Sequence, residues 1–125
     1  MTDALPSDPV LRVMPMPGDI NANDHIFGGW VLAQMDIAGG ITAHREAKGP
    51  VATVAIDAME FIEPILLHDV ISVYATLVHR GRTSMRIKIE VIASRDLASR
   101  HVKVTEALFT FVAIDGVTKR PRPLP

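Results

Sequence analysis

"NANDHIFGGWVLAQMDIAGGITAHR", residues 21–45, is a long apolar run with one acidic residue, Asp36, set into its middle. From Gly29 to Ala47 the residues Trp30, Val31, Ala33, Ile37, Ala38, Ile41 and Ala43 cover most of the circumference of a helix, interrupted by Gln34 and Asp36. A helix of that kind is expected to be enclosed on several sides. "KGP", residues 48–50, ends it. Upstream, "PGDINAND" at 17–24 clusters Pro, Gly, Asp and Asn as turns do, and "VLRVMPM" at 10–16 reads as a short extended segment.

After Pro50 the hydrophobic period changes from that of a helix to that of strands. The runs are "VATVAIDAMEFI" (51–62), "VISVYATLVHR" (70–80), "TSMRIKIEVIAS" (83–94) and "VTEALFTFVAI" (104–114). The third is the clearest, because Met85, Ile87, Ile89 and Val91 alternate with Arg86, Lys88 and Glu90, the pattern of a sheet with one buried face. "HRGRTS" (79–84) is expected to be a hairpin turn and "GVTKRPRPLP" (116–125) a tail. One strand, one helix and then four consecutive strands favour an antiparallel α+β fold over βαβ units. A flat sheet would leave one side of so apolar a helix wet, so a curved sheet wrapping one long central helix is expected.

The chain has 125 residues, which predicts one domain over 1–125, with an assembly of copies helping to cover its surface. A net charge of −1 gives no basic excess that would favour nucleic acid or an anionic membrane. The apolar runs stop well short of the roughly 18 residues that a bilayer span needs, and the acidic start "MTDALPSDPV" lacks a signal-peptide pattern. A cytoplasmic protein is expected. Cysteine is absent, which excludes disulfides, thiol nucleophiles and thiolate metal sites. The histidines at 25, 44, 68, 79 and 101 are scattered without an HExxH, and no serine sits in G-x-S-x-G, so zinc hydrolysis and the serine-nucleophile elbow are disfavoured.

Four features carry chemistry. A buried Asp36 would have to be hydrogen-bonded, and desolvation would push it toward general-base or general-acid use; it could equally serve a purely structural network. Gly28 and Gly29 in "FGGW" let a substrate approach the backbone, where first-turn N–H groups and the helix dipole can hold a thioester or ester carbonyl; a glycine pair can also simply permit tight packing. Gly29 and Asp36 are two turns apart, on the order of 10 Å, so one small carbonyl group is not expected to reach both in one chain. Asn21 and Asn23 offer hydrogen bonds to a water or a carbonyl, though Asn in such a loop commonly makes a turn. Finally Arg80, Arg82 and Arg86 near the hairpin, with Lys119, Arg120 and Arg122 in the tail, suit phosphate or are merely solvated.

"MPMPGDINANDHIFGGWVLAQMDIAGG" closely resembles the signature of the YciA-type acyl-CoA thioesterases of the hotdog superfamily, and the likeness continues through "FIEPILLHDVISVYATLVHRGRTSMRIKIEV" and "VTEALFTFVAIDG". The resemblance implies a hotdog fold paired into a homodimer, often assembled as a trimer of dimers. It also implies hydrolysis of acyl-CoA to a free acid and CoA, with no metal and no covalently attached cofactor. By the same match the catalytic residues fall on Asp36 and Asn21. Gly28 and Gly29 fall where the thioester binds, with Asn23 and His25 beside them, and CoA falls along the turn of Arg82, Thr83 and Ser84. The usual "NGDIFGG" is "NDHIFGG" here, so His25 stands where the family has an acid. Two other readings accompany the thioesterase: a non-catalytic acyl-CoA-binding module, and a hotdog dehydratase using His25. The presence of both Asn21 and Asp36 favours the hydrolase.

Overall fold

A computed structural model describes residues 8–125. In chain order it contains β1 (Leu11–Val13), a 3-10 turn (Pro17–Asp19), α1 (Gly28–Ala47), β2 (Val51–Phe61), β3 (Val70–Arg80), β4 (Ser84–Arg95) and β5 (Arg100–Ala113). The five strands form one antiparallel sheet in the order β1-β3-β4-β5-β2. The helix touches β2, β3, β4 and β5, so the sheet wraps it as expected.

Why these residues make these elements is visible in the core. Met85, Ile87, Ile89 and Val91 of β4 are all fully buried, and they meet Met35 and Ala38 of α1 with Phe109 and Phe111 of β5 in one cluster. The intervening side chains stand on the outer face, where Lys103 lies between Glu90 and Glu106. At the helix C-terminus Lys48 adopts the left-handed conformation and bonds back to His44 O, the usual αL termination. The segment 116–125 is more than a tail: Ile114 pairs with Pro121, Leu124 N–H donates to Arg82 O (2.9 Å), and the Arg122 guanidinium donates to Ala47 O (2.8 Å) and Ile114 O (3.0 Å). Arg122 therefore holds one orphan carbonyl at the helix end and ties it to the segment after β5.

One expectation needs correction. The helix is not enclosed on several sides within the chain: Ala33, Asp36 and Ile37 are exposed, Ile37 by 51%. The one sheet among the described residues curves around the opposite side of the helix and leaves this face open. Among the described residues β2 is an eleven-residue edge strand paired only to β5, exposing Val54, Ile56 and Phe61 and interrupted by two register shifts. A long apolar edge of this sort is a template for pairing with another chain. Among the described residues no helix is long and apolar enough to cross a membrane.

Candidate active site

The loop before α1 folds around one side chain. Asn21 Oδ1 accepts N–H bonds from Asn23 (2.8 Å) and His25 (3.2 Å), while Asn21 N–H donates to His25 O (2.7 Å). Asp24, at the turn, takes a positive φ that Asp tolerates. Phe27 N–H reaches Asp19 O and Ile26 N–H reaches Ile65 O, which fixes the chain as it enters the helix. Asn21 thus makes the turn with its oxygen, and its amide nitrogen has no acceptor among the described residues.

Gly28 and Gly29 occupy the first two helical positions, where N–H groups have no intrahelical partner. Beside them lies a cavity of about 310 Å³ lined by Asn21, His25, Ile26, Gly28, Val31, the segment 61–65, Val104 and Thr105. Its wall is mostly apolar. Three of the expected site residues, Asn21, His25 and Gly28, meet here; Asn23 and Gly29 lie next to them but outside the lining. The Phe61 ring stands over Gly28, close enough that a side chain there would touch it at 3.3 Å.

The other expected residues lie elsewhere. Asp36 is eight residues along the helix from Gly28, about 12 Å of rise. It is exposed, and its Oδ1 accepts a 2.6 Å bond from Thr53 Oγ1 on β2. Arg82 and Thr83 lie in the β3–β4 turn and Ser84 opens β4; they are tied to the end of β5 by the bond from Ala113 N–H to Thr83 O and by the pairing of Ser84 with Val112. Since Ala113 also pairs with Val51, the turn stands at the C-terminal end of the helix, opposite the cavity. One chain therefore carries two separate half-sites. Phe61, Glu63 and Ile65, which wall the cavity, are not singled out by the sequence; their signal is "FIEPI", a strand ending next to a proline.

The sequence model of the thioesterase superfamily matches residues 23–98. The acyl-CoA thioester hydrolase YciA of Salmonella typhimurium is 50% identical over 120 residues, covering 93% of this chain and 89% of that protein. Among solved structures, a hexameric thioesterase from Yersinia pestis superimposes with a TM-score of 0.90 at 45% identity, covering 98% of this chain and 99% of the other. A hexameric hotdog fold thioesterase of Campylobacter jejuni does so with 0.89 at 35%, covering 95% and 91%. The wrapped helix is thus a hotdog fold, and by sequence and by structure the chain belongs to the thioesterase superfamily.

Proposed function

We propose that residues 1–125 act as one hotdog domain that hydrolyses acyl-CoA to a carboxylic acid and CoA, at sites shared between two copies of the chain. The observation that carries this reading is the split site. The cavity with Asn21 and the Gly28 and Gly29 amides lies at the Phe61 end of β2, and Asp36 stands exposed beside Thr53 near the other end. An antiparallel pairing of β2 with its symmetry copy lays the Phe61 end of one strand along the Thr53 end of the other. The partner's Asp36 then approaches the cavity, with the Arg82, Thr83 and Ser84 turn of the partner subunit on the same side. The exposed apolar residues of β2 and Ile37 support the pairing, and the hexameric relatives support three such pairs per assembly.

In this arrangement the acyl chain enters the apolar cavity and the thioester carbonyl meets the helix start. The amides and the dipole there stabilise the oxyanion as it forms. Asp36 either takes a proton from the attacking water or attacks the carbonyl itself, giving an anhydride that water opens; both routes end in acid and CoA thiol. Asn21 orients the water or the carbonyl through its free amide nitrogen. The partner's Arg82 holds CoA phosphate.

The test is complementation. Asn21→Ala and Asp36→Ala homodimers should each be crippled. After the two are denatured and refolded together, half the dimers are mixed and each has one intact site of two, so activity should return to about a quarter of wild type. A mixture as inactive as its parents, with exchange verified by mass, would place the site within a single chain.

A further inference from the structure

The wall of the cavity over residues 62–65 has no regular structure of its own, and part of what holds it is an ion pair outside the cavity lining. Asp69 is 3% exposed and the Arg95 side chain 11%. Arg95 Nε donates to both Asp69 carboxylate oxygens (3.0 and 3.1 Å), and its Nη2 donates to Pro64 O. Asp69 Oδ2 also accepts the Leu66 N–H (2.8 Å). A planar guanidinium from β4 thus grips the segment at Pro64 and, through Asp69, at Leu66. A short flexible ammonium cannot make that set of bonds at once. Neither Asp69 nor Arg95 lines the cavity.

The segment has two further anchors. Ile62 and Glu63 N–H groups both reach Val104 O, and Ile65 O accepts the Ile26 N–H (3.0 Å) two residues before the helix starts. Ile65 is 3% exposed, so it is wedged between core and cavity. Any movement of Pro64 and Ile65 must shift both the cavity wall and the entry to Gly28.

We infer that the Arg95 and Asp69 pair is a positioning clamp that fixes the cavity wall and so sets which acyl chains the enzyme accepts. This rests on the reading above that the cavity takes the acyl group. A buried ion pair of this kind is weak evidence for stability by itself, since desolvation offsets much of its attraction. Its bonds to the backbone of a binding wall are what give it a functional consequence.

The test compares Arg95→Lys, Arg95→Met and Asp69→Asn with wild type across acyl-CoAs from acetyl to decanoyl, alongside amide hydrogen exchange. In each variant the Ile26 and Glu63 amides should exchange faster. The ratio of kcat/KM for long against short chains should change about tenfold through KM, as expected when a binding wall is misplaced, while kcat for acetyl-CoA stays close to wild type. Arg95→Lys, which keeps the charge, should fall between wild type and Arg95→Met. Unchanged exchange refutes the clamp. Faster exchange with an unaltered acyl ratio, or equal slowing of every substrate alongside a lower Tm, reduces the pair to a plain structural role. Failure of wild type to hydrolyse any acyl-CoA sinks the proposed function and acyl selection with it, while the exchange rates still judge the clamp.

Discussion

Gly39 lies on the buried face of α1 against the middle of the sheet, and Gly39→Ala sets two effects of opposite sign against each other. Replacing Gly by Ala inside a helix stabilises by up to about 1 kcal/mol through lost unfolded-state freedom. Here, however, the new methyl would sit 2.7 Å from Ile89 Cδ1 and from two ring carbons of Phe111. Carbon atoms pack at roughly 3.5–4.0 Å, so those groups must retreat by about 1 Å. Both are fully buried, and Phe111 stacks on Phe109 with ring centroids 6.1 Å apart, so the retreat has nowhere to go. Overpacking of this kind costs about 1–3 kcal/mol, and three simultaneous contacts place it in the upper part of that range. The net expectation is a loss of about 1–2 kcal/mol, or roughly 3–10 °C in Tm for a chain of this length. Differential scanning fluorimetry at matched protein concentration reads it, the matching being needed because an assembling protein has a concentration-dependent Tm. Ile89→Val removes one of the clashing atoms, so the double variant should lose less than the sum of the two single changes. A Tm equal to or above wild type for Gly39→Ala would mean that helix and sheet are not packed as closely as described.

Asp36→Asn should lower kcat by about 10² or more while CoA still binds, since general-base help is typically of that size; turnover retained in a folded variant would leave Asp36 only its bond to Thr53. Arg82→Ala should raise KM for acyl-CoA more than it lowers kcat and should leave an acyl-pantetheine unaffected, and an equal loss on both substrates would count against a phosphate contact. On the outer face, the hydrogen bond from Lys103 holds the Glu106 carboxyl below its ordinary 4.5. Burial opposes charge on Lys103, yet its bonds to Glu106 and Glu90 win and raise it above 10.5. The depressed acid contributes stability above its unfolded value that is lost as pH falls through the folded one. The raised amine contributes below 10.5, and that part is lost as pH rises past its folded value. Urea midpoints of Lys103→Met should therefore lie furthest below wild type between these limits and converge with it in acid; a gap that persists at low pH would contradict the pairing.

Strict alternation made β4 readable, and β3 runs over the expected residues from Val70 to Arg80. β5 begins earlier than its apolar run, at Arg100, because His101 and Lys103 belong to the outer face and carry no hydrophobic signal. That β2 pairs with β5 and becomes an edge was not legible, since pairing order leaves no trace in local periodicity. The same limit explains Asp36: an apolar helix face looks alike whether it meets its own sheet or a second copy. Arg122 read as a free cation because donation to the Ala47 and Ile114 carbonyls depends on backbone atoms that every residue has. Of the candidate site, the loop with Asn21 and the glycine pair was visible from residue types, whereas the cavity wall and its anchoring by Arg95 came only from the folded chain.

The pairing of β2 with β5 also has a consequence for how the protein is made. When the ribosome has completed β2 at Phe61, its hydrogen-bonding partner, which ends at Ala113, lies about 50 residues in the future, roughly 3–10 s at ordinary elongation rates. For that interval Val54, Ile56 and Phe61 lie on a strand with neither edge occupied, the situation in which nascent chains aggregate or recruit chaperones. The helix waits longer still for one of its bonds, because the guanidinium that reaches Ala47 follows it by 75 residues. A sheet closed by such distant segments folds late and slowly, and slowing translation lengthens the vulnerable period instead of relieving it.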